Sequence, residues 1–355
     1  MERFSASADP YFTENSDQHN TPDDALSDYS EKDKPWDTNR AYAQDVQEIY
    51  LRDQEFQKLG DRISNCSGML RFNMVASKQT GEVSLKLSTA YFCRVRHCPV
   101  CQWRRSLMWQ ARFYQALPAI VEKYPTSRWL LLTLTVPNCK VEDLAKTLSE
   151  MNKAWQRLIK RKEFKVVQGW IRATEVTQEE KRKEYAHPHF HCLMMVPSSY
   201  FKTSKYITRD RWLELWQEAM RDASITAVDV RPVKPRKPKD GQTITDSTVQ
   251  ALEASGGVSE TLKYSVKPSD MISDPDWFLE MTRQVHKKRF LATGGALKDM
   301  LKETEESEED LLLKSEDDSS TEILSDGYLY AFNWRSDDRM YRRYEKGDVF
   351  PTVDD

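Results

Sequence analysis

Between Ala186 and Val196 the chain reads Ala-His-Pro-His-Phe-His-Cys-Leu-Met-Met-Val, and this stretch limits the possible fold more than any other. Its closing apolar run has the composition and length of a buried strand. Residues two apart in a strand point to the same side. His189 and His191 therefore aim two imidazoles at one point, while Phe190 and Cys192 face the core on the other side. Two imidazoles converging from a rigid strand suit a divalent cation. His187 would share their face, but Pro188 makes the start of the strand irregular, so its part as a ligand stays open. Three of the six histidines within five positions argue for a metal over unrelated surface or core histidines.

The neighbouring strands complete the picture. Residues 128–136 (Arg-Trp-Leu-Leu-Leu-Thr-Leu-Thr-Val) are too apolar for an exposed edge and belong in the middle of a sheet. Val166 to Val176 reads as strand, Gln178 to Tyr185 as a charged turn, and 189–196 as the returning arm. In that hairpin Glu175 can complete a site of two imidazoles and one carboxylate, with open positions for substrate oxygens. A Lewis acid held there polarises a phosphoryl oxygen. The competing reading of Glu175 is a surface ion pair with Arg172 or Lys181.

Cysteine spacing supplies a second site. Cys93-x4-Cys98-Pro-x-Cys101 follows a predicted β-hairpin over 66–93, and Cys66 stands at its start. Four thiolates from a hairpin base and a tight Cys-x-x-Cys turn fit a tetrahedral structural zinc. The chain has no membrane-length apolar run and no signal pattern. It reads as cytoplasmic, which favours zinc over two disulfides. His97 is an alternative ligand.

The rest of the chain falls into five stretches. Residues 1–40 are polar, acidic and expected to be disordered. Residues 41–125 hold a helix over 41–59, the Cys-rich hairpin and a long helix over 102–123 that mixes arginines with Trp103 and Trp109. Residues 126–301 hold the sheet, amphipathic helices over 142–162 and 209–223, and a strand over 225–230. A Pro-interrupted basic loop follows over 231–246, then a helix over 259–267 and a helix pair over 276–301. Residues 302–322 are acidic and expected to be a disordered linker. Residues 323–355 end the chain as a tail, docking segment or extra edge strand. Residues 41–301 carry 42 Lys and Arg against 29 Asp and Glu, although the whole chain has a net charge of -3. A basic body between acidic ends points to a polyanion partner.

Glu260-Thr-Leu-Lys-Tyr264-Ser-Val-Lys267 places a carboxylate and a phenol on one face of the expected helix, with an ammonium three residues on. A phenol can attack phosphorus and become a phosphotyrosine ester. The carboxylate can serve as a general base, and Lys267 can lower the phenol's pKa or hold a phosphate.

Four motifs in this order resemble the plasmid initiators of rolling-circle replication, within the HUH endonuclease group. They are Phe92–Leu107 with its Cys-Pro-x-Cys, Leu131–Val136, His187-Pro-His-Phe-His191, and Glu260–Pro268. The resemblance covers residues 60–300. It implies an α+β fold: a central antiparallel sheet of HUH type covered by helices, with the Cys-rich zinc module N-terminal to it. It implies Mg²⁺ or Mn²⁺ on His189 and His191, with Glu175 in the place of the third ligand. Tyr264 becomes the nicking nucleophile, and Glu260 the carboxylate that activates water at termination. The implied substrate is the plasmid's double-strand origin, bound as duplex and as single strand. A 5′-phosphotyrosine forms and a 3′ hydroxyl primes synthesis, with a host helicase and polymerase as further partners. The rival readings are an HUH relaxase or transposase, and a non-enzymatic zinc-dependent DNA-binding regulator.

Overall fold

The leucines at 130, 131, 132 and 134 are buried on both faces of a sheet, as so apolar a strand requires. The computed structural model describes residues 24–202, 204–239, 241–263, 265–301, 307–313, 321–324 and 330–344. In it the strand Ser127–Thr135 lies between Val228–Pro232 and the histidine strand Tyr185–Pro197. Beyond the latter come the glutamate strand Gly169–Gln178 and the strand Leu291–Gly295. All these pairings are antiparallel. The short strand Cys139–Lys140 pairs with the start of the histidine strand.

The chain divides into two compact units, and this sheet belongs to the unit formed by Tyr42–Cys66 and Phe92–Ser315. The two faces of the sheet carry separate cores, because alternate residues point opposite ways. On one face Trp155 meets the rings of Trp170 at 4.9 Å and Phe190 at 6.3 Å, and Phe190 lies 6.2 Å from Trp216. Trp155 belongs to the helix Leu144–Leu158, which buries Leu144, Leu148, Met151 and Leu158 at helical spacing. Trp216 belongs to Arg209–Met220. On the other face Leu131, Ile171, Leu193 and Met195 form one apolar cluster with Phe113 and Leu117 of the long helix Pro99–Lys123. Leu252 of Ile244–Ser255 and Val258 of Gly257–Thr261 complete that cluster.

Gly294 is required where the last strand crosses the first core. A Cβ at that position would stand 2.2 Å from the ring of Trp170. Gly294→Ala is therefore expected to lower stability by about 1–3 kcal/mol through overpacking. Denaturant titration checks this, and an unchanged midpoint would show that Trp170 moves aside freely.

The second unit comprises Met1–Ala41, Ser67–Tyr91 and Glu316–Asp355. Its hairpin Met69–Ser77 and Val83–Ala90 turns through Gly81, which takes a left-handed φ of 72°. Tyr330–Arg335 and then Met340–Arg343 extend this sheet, and Thr321–Ile323 also pairs with Met69–Ser77. Phe72 and Phe332 pack edge to face at 5.9 Å. The Tyr341 hydroxyl donates to the Ser67 carbonyl at 2.7 Å.

Several expectations need correction. The N-terminal stretch is helical from Leu26 onward, through Leu26–Tyr29 and Pro35–Leu51. Leu26 and Trp36, sparse in a polar context, are fully buried and anchor it. Residues 307–313 of the acidic linker include the helix Glu308–Leu312. Leu311 is buried, its carbonyl accepts from Arg104 Nε at 2.7 Å, and Asp310 pairs with Arg112 at 2.7 Å. The expected loop over 231–246 is shorter, since the strand runs to Pro232 and a Thr243 capping box starts the next helix. The expected helix pair over 276–301 is Pro275–Gln284 and Ala296–Met300, with the strand Leu291–Gly295 between them because the sheet edge offers ladder partners. The helix carrying Glu260 ends at Thr261, not 267. Residue Lys267 is extended, as the position before a proline favours, and Val176 N–H donates to the Ser265 carbonyl at 2.9 Å. Tyr330–Arg335 is an inner strand, not an edge or a tail. The division of the chain also departs from the expected boundary at 125/126. The hairpin between Cys66 and Cys93 joins the C-terminal strands, whereas the four cysteines stay with the larger sheet.

Candidate metal centre

The glutamate and histidine strands pair with Glu175 opposite His189 and Ala173 opposite His191. This register puts all three ligand side chains on one face. Glu175 Oε2 lies 2.8 Å from Nε2 of His189 and 2.8 Å from Nε2 of His191, and the imidazole rings are 4.7 Å apart. The other ring nitrogens are turned away: His191 Nδ1 is 3.3 Å from the Thr133 hydroxyl, and His189 Nδ1 is 3.3 Å from the His187 carbonyl.

A neutral imidazole has one N–H, so His189 can donate to the His187 carbonyl or to Glu175, not to both. A lone pair and a carboxylate oxygen at 2.8 Å repel unless a cation lies between them. The arrangement therefore calls for an extra proton or a metal ion. Glu175 is 2 % exposed, and its Oε1 is buried without a hydrogen-bond partner among the described residues. An open acceptor beside two imidazoles fits a hard or borderline divalent ion. Burial raises the Glu175 pKa, but hydrogen bonds from His189, His191 and Lys263 outweigh it and hold the carboxyl well below its usual range.

Two further charged groups converge here. Lys263 Nζ is 2.9 Å from Glu175 Oε2 and 2.8 Å from Glu260 Oε1, and Glu260 Oε1 is 3.6 Å from His191 Nε2. Glu260, named from the sequence, thus reaches the cluster. Lys263 was missed, although its place three residues after Glu260 is the standard spacing of a helical ion pair. Lys267 is exposed, and no contact joins it to these groups among the described residues. Tyr264 lies outside the described residues. His187 shares the face but bonds Asn138 Oδ1 through Nδ1 at 2.5 Å and is not part of the ligand set. Arg172, the alternative partner for Glu175, lies on the opposite face, 4.1 Å over Phe190 and donating to Asn152 at 2.8 Å.

The second cluster is the four thiols. Cys66, Cys93, Cys98 and Cys101 are buried and free of disulfides, with all four sulfurs within 4.8 Å of one another. Cys66 lies 3.6 Å from both Cys98 and Cys101, and Cys93 lies 3.7 Å from Cys101. Tetrahedral corners about 2.3 Å from a zinc ion are themselves about 3.8 Å apart, so the donor set fits this metal. Cys98 caps the long helix, with Pro99 at its first position. The helix N-terminus favours negative charge on Cys98 and Cys101. Arg62 bonds the Cys93 carbonyl at 2.5 Å, and Arg105 Nη2 bonds the Arg94 carbonyl at 3.0 Å, which holds the loop closed. His97 is buried, with neither ring nitrogen hydrogen-bonded among the described residues, and burial pushes its pKa down to about 3. It is not in the thiol set. The long helix also links this cluster to Ser265: Gln102 accepts from Ser265 Oγ at 3.1 Å.

An antiparallel sheet with helices on both faces, two imidazoles and a glutamate at its centre, and a four-thiol cluster beside it define a protein with two sets of side chains able to hold metal. The model of the replication protein family matches residues 84–342. A "Protein rep" of Streptococcus pneumoniae serotype 2 is 29 % identical over 323 residues, covering 89 % of this chain and 94 % of the relative. Those of Lentilactobacillus hilgardii and Bacillus amyloliquefaciens are 32 % and 34 % identical, covering 82 % and 70 % of this chain and 89 % and 74 % of the relatives. No solved structure matches the chain. The chain belongs to the replication protein family, that of the plasmid replication initiators. Among its described residues no helix is long and apolar enough to cross a membrane.

Proposed function

We propose that this protein starts rolling-circle replication by cutting one strand of the plasmid origin, with a sheet of the HUH endonuclease type. The observation that carries the reading is the convergence of Glu175, His189 and His191 on one point, with Glu260 3.6 Å from His191. Glu175, His189 and His191 would hold Mg²⁺ or Mn²⁺. When bound, such an ion polarises a phosphoryl oxygen and orients the group for in-line attack.

The chain's own groups do the rest. The phenol oxygen of Tyr264 forms a bond to phosphorus, the bond from phosphorus to the 3′ oxygen breaks, and the 5′ phosphate stays on the tyrosine. The phenol gives up a proton and the 3′ oxygen gains one, so the step is neutral overall. Lys263, fixed between Glu175 and Glu260, supplies positive charge beside the reacting phosphate. Lys267 is exposed and can contact the strand further along. Glu260, with a side chain 44 % exposed, can take the proton of the water that later releases the strand. The four thiols would hold a structural zinc that fixes the start of the long helix. The excess of Lys and Arg in residues 41–301 supports a hold on the DNA backbone.

The test is incubation with single-stranded origin DNA and Mn²⁺. A protein–DNA adduct that survives denaturant, and is absent with Tyr264→Phe, is expected. An intact strand would mean a non-enzymatic DNA-binding regulator. Glu260→Ala is expected to keep the first cleavage within about threefold while slowing release of the adduct by about a hundredfold, the range of a lost general base. Loss of the first cleavage would remove Glu260 from that role.

A further inference from the structure

A cavity of about 440 Å³ opens beside the Lys263–Glu175 contact. It lies within the larger unit, walled by the cysteine loop, the long helix, the stretch after Glu260 and the loop before the strand Leu291–Gly295. Arg94, Arg96, Arg105, Lys263, Lys288 and Arg289 line it, and no carboxylate does among the described residues. Trp109 and Phe290 add two rings, both partly exposed. Arg96 is half-buried, sits 4.9 Å over the ring of Phe290 and has no ion-pair partner among the described residues. Arg105 is held in place by the carbonyls of Arg94 and Val95, at 3.0 and 3.4 Å. Cations gathered around a partly buried space repel one another, and an anion among them removes that repulsion. Guanidinium groups match phosphate geometry, and aromatic rings stack bases of any sequence. The volume falls within the span of small-ligand sites.

We propose that this cavity takes one nucleotide of the single-stranded substrate, its phosphate on Arg96 and Arg105 and its base against Trp109 and Phe290. The inference rests on the strand-cutting reading, since an unpaired strand offers both a phosphate and a free base face. Lys263 and Ser265, which flank Tyr264 in the sequence, both line the cavity, so the occupant is a nucleotide near the bond being cut. The cavity thereby makes the cysteine loop part of substrate binding as well as a structural support.

The test uses the full chain and fluorescein-labelled origin single strands, each lacking one base. Binding is read by anisotropy without metal, and the Mn²⁺-dependent adduct is read on the same strands. The wild type is expected to lose about tenfold in affinity at one abasic position, the effect of a lost base–aromatic stack. Phe290→Ala is expected to bind the intact strand about tenfold more weakly and to lose nothing further at that position. Arg96→Gln is expected to weaken all strands alike while leaving bound zinc unchanged. Lys146→Gln, on the helix Leu144–Leu158, is the control for lost charge alone and should alter no position selectively. Equal affinity at every abasic position, or a positional loss that persists in Phe290→Ala, overturns the proposal. If the adduct still forms in that case, strand cutting stands and only the cavity's role falls. If the coupling appears without an adduct, the cavity's role stands and strand cutting falls.

Discussion

His191→Ala is expected to lower Mn²⁺-dependent strand cleavage by about a thousandfold, since a metal supplies several kcal/mol of transition-state stabilisation. Affinity for Mn²⁺, read by titration calorimetry, should fall by at least about a hundredfold, more than the loss of an outer partner causes. The geometry explains why so much depends on one ring. Glu175 Oε2 faces Nε2 of both histidines at 2.8 Å, so each imidazole supplies one side of the same point. The fold should survive the change. His189 and Lys263 still contact the Glu175 carboxylate, the latter at 2.9 Å, and the buried charge stays compensated. His187→Ala is the informative comparison. His187 lies on the same strand face but bonds Asn138, so its loss should cost less than about tenfold. Equal losses for the two variants, or cleavage in His191→Ala above about a tenth of wild type, would show that the metal sits elsewhere.

Removing metal from the four thiols should have the largest effect on stability. Structural zinc contributes about 10–16 kcal/mol in small zinc domains, as much as the whole stability of a typical domain. Without a metal, burial and the three neighbouring thiols push the Cys66 thiol well above its ordinary pKa, so four buried sulfurs are held together with little attraction. The isolated protein is expected to carry one zinc per chain by elemental analysis. Cys98→Ser should abolish that zinc and lower the melting temperature by more than about 10 °C, the shift that several kcal/mol produce in a domain of this size. Cys139→Ser changes a half-exposed thiol outside the cluster and should leave both values unchanged. Metal-free protein as isolated under reducing conditions, or a melting point in Cys98→Ser within about 2 °C of wild type, would sink the assignment. A consequence for activity follows from packing. Gln102, on the helix that begins at the cluster, bonds Ser265 at 3.1 Å and contacts the Met271 sulfur at 3.9 Å. Loss of zinc is therefore expected to reduce cleavage while Mn²⁺ affinity at Glu175, His189 and His191 persists.

Ligand positions within one strand were legible from the chain, because the two-residue period of a strand is purely local. It put His189 and His191 on one side and Phe190 and Cys192 on the other, where the structure has them. Cysteine spacing was legible for the same reason, since Cys98-Pro-x-Cys101 is one helix cap and its first turn. The register that brings Glu175 opposite His189 followed once the intervening charged turn was read as a hairpin. Less legible was whatever a distant partner imposes. Residues 291–295 carry two glycines and no strong strand signal, yet they form a strand because the sheet edge and Trp170 leave room only for an extended backbone there. The hairpin between Cys66 and Cys93 has a clear local pattern, but its partners at 330–335 lie more than two hundred residues away.

The sequence by itself thus determined which residue types face which way: paired imidazoles on a buried strand, four thiols at a hairpin base and a helix cap, and a basic body between acidic ends. The tertiary structure alone decided which charges meet at the centre. It ended the helix at Thr261 and brought Lys263, not Lys267, against Glu175 and Glu260, where the Ser265 carbonyl accepts from Val176 N–H instead of continuing a helical ladder. A chain's periodicity records how each segment repeats, but the competition between continuing a helix and joining a neighbouring strand is settled only where the two segments touch.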